Sequence, residues 1–166
     1  MPANSTNALD VAAAIVERIH PIDPLKLQKL VFYAAGEYAA LTGERMFPEE
    51  LEAWEYGPAV YDLWKAYRTY DDDRAIVKPR NGDPSHLNDL AIGCVDSTIR
   101  KYGNIPGPKL ITLTHKEPAW QDAYVQGQWR TKIPFATLIE SFRKKETTPP
   151  SDELLDRVFA AQSRAS

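Results

Sequence analysis

EAWEYGPAV, residues 52–60, joins a strand-like pattern to a helical one. Trp54 and Tyr56 are two positions apart, so they share one face of an extended chain. Gly57 and Pro58 break that pattern, and proline favours the first turn of a helix. The segment therefore predicts a strand that Trp54 and Tyr56 anchor against helices, then a turn, then a helix that starts directly after Gly57-Pro58.

Two helices are predicted upstream of this segment. Residues 11–19 carry apolar side chains at helical spacing, and Pro21 closes that pattern. Asp23 followed by Pro24 supplies an N-cap and a first-turn proline for the second helix, which ends at Gly43. The apolar stripe of the second helix is Leu27, Leu30, Val31, Ala34, Tyr38 and Leu41.

A short β-hairpin is predicted between residues 45–47 and 51–56, with Pro48-Glu49-Glu50 as its turn. Two strands alone are only marginally stable in water. The hairpin must therefore pack against the helices.

Further helical patterns follow. A third helix carries Val60, Leu63, Trp64 and Tyr67 and ends before the acidic run 71–73, which is interpreted as a solvated loop. Asp83-Pro84 repeats the cap-plus-proline pattern, and the stripe of a fourth helix then continues to Gly103. Its members are Leu87, Ala91, Cys94, Val95, Thr98 and Tyr102.

The last third of the chain predicts three shorter helices. Residues 114–117 have the form of a capping box, although Pro118 allows a later helix start. One helix follows from Phe135 to Phe142, and another follows Pro149-Pro150-Ser151. The chain is thus predicted to be mainly α, a compact helical domain of about six to seven helices with a small β-hairpin. It forms a single domain over 1–166, with a core at about 8–145 and a C-terminal tail, 146–166, that carries a short helix.

Composition limits the classes of function. The 166 residues are 43% hydrophobic, which is enough for one compact core. The 20 basic and 23 acidic residues form no basic stripe of the kind that follows a phosphate backbone, so nucleic acid is not the expected partner. No apolar stretch approaches the roughly 20 residues that span a bilayer, and we expect no membrane partner. The single cysteine, Cys94, fits a reducing compartment, so a cytoplasmic location is expected.

Few residues suggest chemistry. His20, His86, His115 and Cys94 show no close ligand spacing, so no metal site is predicted. Residues 103–108 lack the spacing of a phosphate-binding loop. Cys94 falls on the apolar face of its helix, which favours a core position over a nucleophile. The sequence predicts no catalytic residue, no cofactor and no enzymatic activity.

Three groups of residues remain as site candidates. His115 and Glu117 flank Lys116 and form either an acid–base pair or a helix cap beside Trp120. A row on the second helix is either a docking surface or a solvated face, and it consists of Lys26, Lys29, Tyr33 and Glu37. Aromatic residues at strand or helical spacing are usually core, and only a partly exposed one would anchor an interface; the candidates are Trp54, Tyr56, Trp64 and Trp120.

Four motifs occur in a fixed order: PLKLQKLVFYA at 24–34, LTG at 41–43, EAWEYGPAV at 52–60 and LTHKEPAW at 113–120. Together they resemble the Panacea domain, also called the SocA-like or phage-associated GepA-like family. The resemblance covers about residues 8–145, with Ala59 where the family often has valine. It implies a mainly helical antitoxin of a type II toxin–antitoxin pair.

The resemblance also implies a mode of action. The chain would bind and neutralise a cognate protein toxin, which we expect the adjacent gene to encode. In the SocA branch the antitoxin instead delivers its toxin to the ClpXP protease. The residues predicted to bind the partner are Lys26, Lys29, Tyr33, Trp54, Tyr56, His115 and Trp120.

Two other functions stay open from the sequence. A small hydrolase would require His115, Glu117 and His86 to meet in one cleft. A DNA-binding regulator would require one continuous basic surface made of Arg68, Arg74, Lys78 and Arg80.

Overall fold

The computed structural model describes residues 6–68 and 75–147. Within these ranges the chain forms seven α-helices, one 3-10 helix and a small antiparallel sheet, which confirms the mainly α prediction. The helices are α1 (Ala8–Arg18), α2 (Pro24–Thr42), α3 (Tyr61–Tyr67), α4 (Asp89–Tyr102), α5 (Gly107–His115), α6 (Pro118–Ala123) and α7 (Phe135–Thr147). The strands are β1 (Glu52–Trp54), β2 (Gly57–Ala59) and β3 (Thr131–Lys132), and the 3-10 helix is Pro84–His86.

Helix α2 is the centre of the domain and packs against α1, α4, α5 and α7. It begins as predicted, because the Asp23 side chain accepts a 2.9 Å hydrogen bond from the backbone N–H of Lys26. It ends as predicted at Gly43, whose φ of 72° is the left-handed conformation that glycine favours. Because neighbours surround α2, even its polar residues Gln28 and Lys29 are buried.

Helix α1 starts with a capping box between Asn7 and Asp10. The Asp10 carboxylate also accepts the backbone N–H of Asp83 at 2.8 Å and lies 3.1 Å from Nδ1 of His86. These bonds hold the chain there in the 3-10 helix. The predicted start of the fourth helix at Asp83-Pro84 is therefore wrong, and α4 begins at Asp89 behind an Asn88 cap.

The sheet has the order β2-β1-β3, and both pairings are antiparallel. The predicted pairing of 45–47 with 51–56 is wrong, because β1 pairs with the strands that follow it. Gly57 has a φ of 110°, so it completes the tight turn between β1 and β2 instead of starting a helix. Pro58 lies in the edge strand β2, where a missing N–H is tolerated, and α3 begins at Tyr61.

The capping box predicted at 114–117 is also wrong. Thr114 lies in the last turn of α5, and its hydroxyl donates to the Ile111 carbonyl at 2.9 Å. Helix α6 begins at Pro118 behind Glu117, whose side chain makes no capping bond. The alternative start at Pro118 is thereby confirmed.

The core lies between α2 and the helices around it. Phe32, on α2, meets Phe142 of α7 edge to face at 5.4 Å, and Cys94 is 2% exposed, which confirms its predicted core position. The acidic run 71–73 and the helix predicted after Pro150 lie outside the described residues. Among those described, no helix combines the length and apolar character needed to cross a membrane.

Candidate functional site

An open cavity of about 710 Å³ lies between the start of α2, the β1–β2 turn, α3 and the start of α5. We call it the aromatic groove, and its main apolar lining consists of Leu25, Trp54, Tyr56, Leu63, Trp64 and Trp129. Grooves with this composition are typical binding sites, because apolar walls supply binding energy and a few polar groups supply orientation.

Large apolar side chains on the rim of the groove point into solvent. Trp129 is 62% exposed, Tyr56 is 59% exposed and Leu25 is 44% exposed. Clustered exposed aromatic residues are uncommon on a protein with no partner, and they mark interaction surfaces. The sequence predicted that Tyr56 anchors the hairpin against the helices. That prediction is wrong, because the Tyr56 side chain is mostly exposed.

Three tryptophans form one wall of the groove. The ring of Trp54 lies 6.2 Å from that of Trp64 and 5.7 Å from that of Trp129, between ring centres. Trp64 and Trp129 are 6.2 Å apart in an edge-to-face arrangement. The guanidinium of Arg68 stacks over Trp64 at 4.7 Å. The rings support each other, so the wall presents a preformed surface.

The segment that carries Trp129 is held by its neighbour Arg130. The Arg130 guanidinium donates to both oxygens of Glu52, at 3.0 and 3.2 Å, and lies 3.7 Å from the ring centre of Tyr61. Glu52 Oε1 also accepts the indole N–H of Trp54 at 2.9 Å. One buried carboxylate thus positions two of the three tryptophans.

The floor of the groove contains a buried lysine. Lys29 is 1% exposed, and its ammonium donates to the Pro58 carbonyl at 3.1 Å. Burial lowers the pKa of Lys29 to about 7, against a smaller opposing effect of the Asp23 carboxylate. Gly57 leaves room for this side chain, because a Cβ atom there would lie 2.8 Å from Lys29 Cε.

Beside Lys29, Gln28 joins α2 to the end of the hairpin. Its side-chain amide donates to the Val60 carbonyl at 3.0 Å and accepts the Val60 N–H at 2.8 Å. Both bonds are buried. The amide of Gln28 therefore helps to hold the fold through its oxygen and one of its N–H groups, whereas Lys29 uses one of three protons in its described hydrogen bond.

His115 and Trp120 lie behind the β1–β2 turn. The Nε2 atom of His115 is 2.9 Å from the Glu55 carbonyl, and the indole N–H of Trp120 donates to the Trp54 carbonyl at 2.8 Å. The two rings stack at 4.2 Å. These predicted site residues therefore support the turn that presents Tyr56.

Lys26 and Tyr33 have partners elsewhere. Lys26 donates to the Gly103 carbonyl at 2.6 Å, and Tyr33 donates to Glu117 at 3.1 Å while stacking on Tyr102 at 4.0 Å. The solvated-face interpretation of this row is wrong, because Tyr33 and Lys29 are 2% and 1% exposed. The fourth member of the row, Glu37, accepts a hydrogen bond from Ser97 at 2.9 Å.

Of the seven predicted binding residues, the structure brings Lys29, Trp54 and Tyr56 into the groove. Trp129, one of the most exposed large apolar residues described, was not predicted from the sequence. One signal for it was available: Trp129 follows Gly127 in a short polar stretch, where a tryptophan has little opportunity to be buried.

The residues of the hydrolase hypothesis do not meet in one cleft. Glu117 binds Tyr33 and Lys145, whereas His115 contacts the β1–β2 turn. His86 lies against Asp10 and Asp83 at the start of α1. Within the described part of the chain, no group of three or more His, Cys, Asp or Glu residues could hold a metal ion.

The basic surface of the DNA-binding hypothesis is described only in part, because Arg74 lies outside the described residues. Of its other members, Arg68 stacks over Trp64 and Arg80 lies 5.8 Å from the ring centre of Tyr67. These two guanidinium groups thus lie against aromatic rings of α3.

Comparison with protein families shows which family the chain resembles. The family model described as antitoxin SocA-like, Panacea domain, matches residues 27–121, more than half of the chain. The chain belongs to the SocA-like antitoxin family. The region that matches the Panacea domain includes Lys29, the β1–β2 hairpin, α3 and α5, so it contains most of the groove. No curated protein and no solved structure matches the chain.

Proposed function

We propose that this Panacea domain is the antitoxin of a type II pair, and that it neutralises a cognate protein toxin by binding it directly through the aromatic groove. The observation that carries the proposal is the braced and exposed aromatic rim, with Trp129 and Tyr56 62% and 59% exposed. Family membership supplies the class of partner. The toxin is expected to be encoded by the adjacent gene and to act in the cytoplasm.

The physical basis is occlusion. A stable interface of standard size buries about 800 Å² on each partner, and tryptophan, tyrosine and arginine supply most of the binding energy at such interfaces. The groove offers Trp129, Trp54, Tyr56 and Arg68 on one continuous surface. A toxin segment seated there would lose access to its own target, and no catalytic group of the antitoxin is required.

Co-expression tests this proposal. The product of the adjacent gene should stop growth when expressed alone, and the wild-type antitoxin should restore growth. Trp129→Ala and Tyr56→Ala should lose that protection, and the purified variants should bind the neighbouring protein at least about 30-fold more weakly.

Leu41→Ala provides a matched control, because Leu41 is 53% exposed but lies at the opposite end of α2. It should protect as well as wild type. A harmless neighbour, or a toxic one that wild type neither binds nor neutralises, would refute the proposal. If the groove variants protected cells as well as wild type does, the toxin-binding surface would have to lie elsewhere on the protein.

Direct occlusion differs from delivery to a protease in one measurable quantity, the half-life of the toxin. We expect this half-life to be unchanged by the antitoxin, and we expect neutralisation to persist in cells that lack ClpXP. A toxin that disappears faster in the presence of the antitoxin, only when ClpXP is present, would replace occlusion with the adaptor mechanism.

A further inference from the structure

We infer that Lys29 is the receptor for a single carboxylate of the toxin, an Asp or Glu side chain that enters the aromatic groove. This inference rests on the proposed function and adds the chemistry of recognition. It is carried by the position of the lysine, by its surroundings and by the balance of charge at the floor of the groove.

The position is unusual for a lysine. Lys29 is 1% exposed, although it lies on the lining of an open cavity of about 710 Å³. Lysine is almost never fully buried unless it is paired, because an ammonium group loses its hydration. Here Gly57 and Pro58 of the β1–β2 hairpin cover the side chain, so a lysine is held directly beneath the groove.

The ammonium is incompletely compensated in the part of the chain that the structure describes. Its hydrogen bond goes to the carbonyl of Pro58, and no carboxylate of that part lies within 4.0 Å of it. Asp23 is the carboxylate that acts on it through space. Oδ1 of Asp23, however, accepts the Lys26 N–H as the N-cap of α2. This oxygen is therefore bonded at the start of α2.

The other polar side chains near the floor are neutral and already make bonds within the fold. Gln28 makes two bonds to Val60, and the Thr114 hydroxyl donates to the Ile111 carbonyl. Of these three side chains only Lys29 can carry a positive charge, and its flexible stem allows the ammonium to turn from Pro58 towards the groove with two protons left for a ligand. The apolar walls would then exclude water from the new ion pair and strengthen it.

Charge complementarity selects the occupant. An apolar side chain would leave the lysine uncompensated in a drier environment, whereas a carboxylate would neutralise it and accept its free protons. The tryptophan wall would pack against the neighbouring residues of the same toxin segment. The groove therefore fits a segment in which one acidic residue is flanked by apolar ones.

The first test compares Lys29→Met with wild type in binding to the product of the adjacent gene. Methionine retains an unbranched apolar side chain and removes the charge, and we expect binding to weaken at least about 30-fold. Lys109→Met, an exposed lysine on α5, is the control and should bind like wild type. Circular dichroism and thermal melting establish that each variant is folded.

Dependence on pH separates ion pairing from a structural role. Free Lys29 has a pKa of about 7, and a bound carboxylate would raise it, so binding takes up a proton above pH 7. Wild-type affinity should fall by up to about tenfold per pH unit between pH 7.5 and 9.5. Lys29→Met should lack this additional slope.

Other groups around Lys29 also carry charge. They are Asp23 and Lys26 on α2, Glu55 and Tyr56 at the β1–β2 turn, Tyr67 and Arg68 at the end of α3, Lys109 and His115 on α5, and Arg130 beside Trp129. All remain in Lys29→Met, so the difference between the two slopes reports Lys29. Measurement above pH 7.5 also stays clear of the usual histidine range.

A scan of the toxin identifies the carboxylate. Each Asp or Glu of the toxin is changed to Asn or Gln, and one change should weaken wild-type binding as much as Lys29→Met does. Combined with Lys29→Met, that change should produce little further loss, because the two residues form one interaction.

Four results would overturn the inference while leaving the proposed function intact. The first two are wild-type affinity in Lys29→Met and an identical pH slope in both proteins. The other two are the absence of a coupled toxin carboxylate, and sensitivity to amidation of the toxin's C-terminus instead of to any side chain. A wild-type protein that forms no complex with the neighbouring product would refute the proposed function and this inference together.

Discussion

The backbone of Gly57 lies against the side chain of Lys29, so that a Cβ atom at position 57 would be 2.8 Å from Cε of the lysine. The same Cβ would be 2.7 Å from Thr114 Oγ1, and Gly57 has a φ of 110°. Only glycine satisfies both the conformation and the close approach. The β1–β2 turn can therefore close over a buried lysine because one of its residues has no side chain.

Gly57→Ala should lower the free energy of unfolding by about 3 kcal/mol, from backbone strain and from crowding against Lys29 and Thr114. Gly127→Ala is a matched control: its φ is 83°, but a Cβ there would meet nothing within 4 Å. It should cost about 1 to 2 kcal/mol from the backbone alone. Urea unfolding measures both, and equal costs would show that the contact with Lys29 carries no strain.

Lys29 should make stability depend on pH. Its pKa is about 7 in the folded protein and near the ordinary lysine value of 10.5 when unfolded. Between these values the unfolded state binds more protons, so stability rises with pH across this window. Below pH 7 Lys29 is protonated in both the folded and the unfolded state, so the cost of burying its charge is fully present.

Lys29→Met removes this cost, and it should therefore be more stable than wild type at pH 6.5. The advantage should shrink as pH rises from about 7 towards 10, with a slope of at most about 1.4 kcal/mol per pH unit. Urea unfolding at a series of pH values measures the difference, and Lys109→Met serves as the exposed control. A difference that does not change with pH would contradict burial of a charged Lys29.

Helix ends could be predicted where the signal is local. Asp23, Pro24 and Gly43 determine the ends of α2 through bonds within a few residues, and the structure has those ends. The sheet could not be predicted in this way, because the pairing of β1 with β3 joins Glu52 to Lys132 across a long stretch of sequence. The conformation of Gly57 then decided between a hairpin turn and a helix start.

Only some of the groove residues could be predicted from the sequence, again because the groove depends on non-local contacts. Lys29 belongs to a polar row on α2, and periodicity shows that the row shares a face without showing what covers it. Here α5 and the hairpin pack against α2, and Lys29 and Tyr33 of the row are buried. Trp129 reaches the groove through the pairing of β3 with β1, which is again a non-local contact.

Glu52→Gln tests how the rim is held. The 5% exposed Glu52 side chain binds Arg130 and the indole of Trp54, and the neutral amide cannot replace the ion pair. The melting temperature should fall by roughly 4 °C or more. Trypsin should also cut faster after Arg130, as followed by mass spectrometry.

Glu50→Gln is the control for that change, because its 3.5 Å pair with Arg45 joins side chains that are 36% and 40% exposed. Exposed pairs contribute little to stability, so neither melting nor cleavage should change. Cleavage after Arg130 at the wild-type rate in Glu52→Gln would show that Tyr61 alone holds the arginine.

The last prediction concerns Glu117, whose Oε1 atom accepts hydrogen bonds from both Tyr33, at 3.1 Å, and Lys145, at 2.8 Å. Burial first, and then the Glu117 charge, raise the pKa of Tyr33 far above its usual range, so the phenol remains a donor. The carboxylate thus joins α2 to α7. Tyr33→Phe and Lys145→Met should each cost about 1 kcal/mol of unfolding free energy.

Because Tyr33 and Lys145 share one acceptor oxygen, the double variant should differ from the sum of the single ones by about 0.5 to 1 kcal/mol. Lys144→Met, at a neighbouring residue whose side chain is 73% exposed, should change stability by less than about 0.5 kcal/mol and should add to Tyr33→Phe. Strict additivity of Tyr33→Phe with Lys145→Met would mean that each residue holds α7 independently of Glu117. Coupling would instead show that the Glu117 carboxylate links α2 to α7.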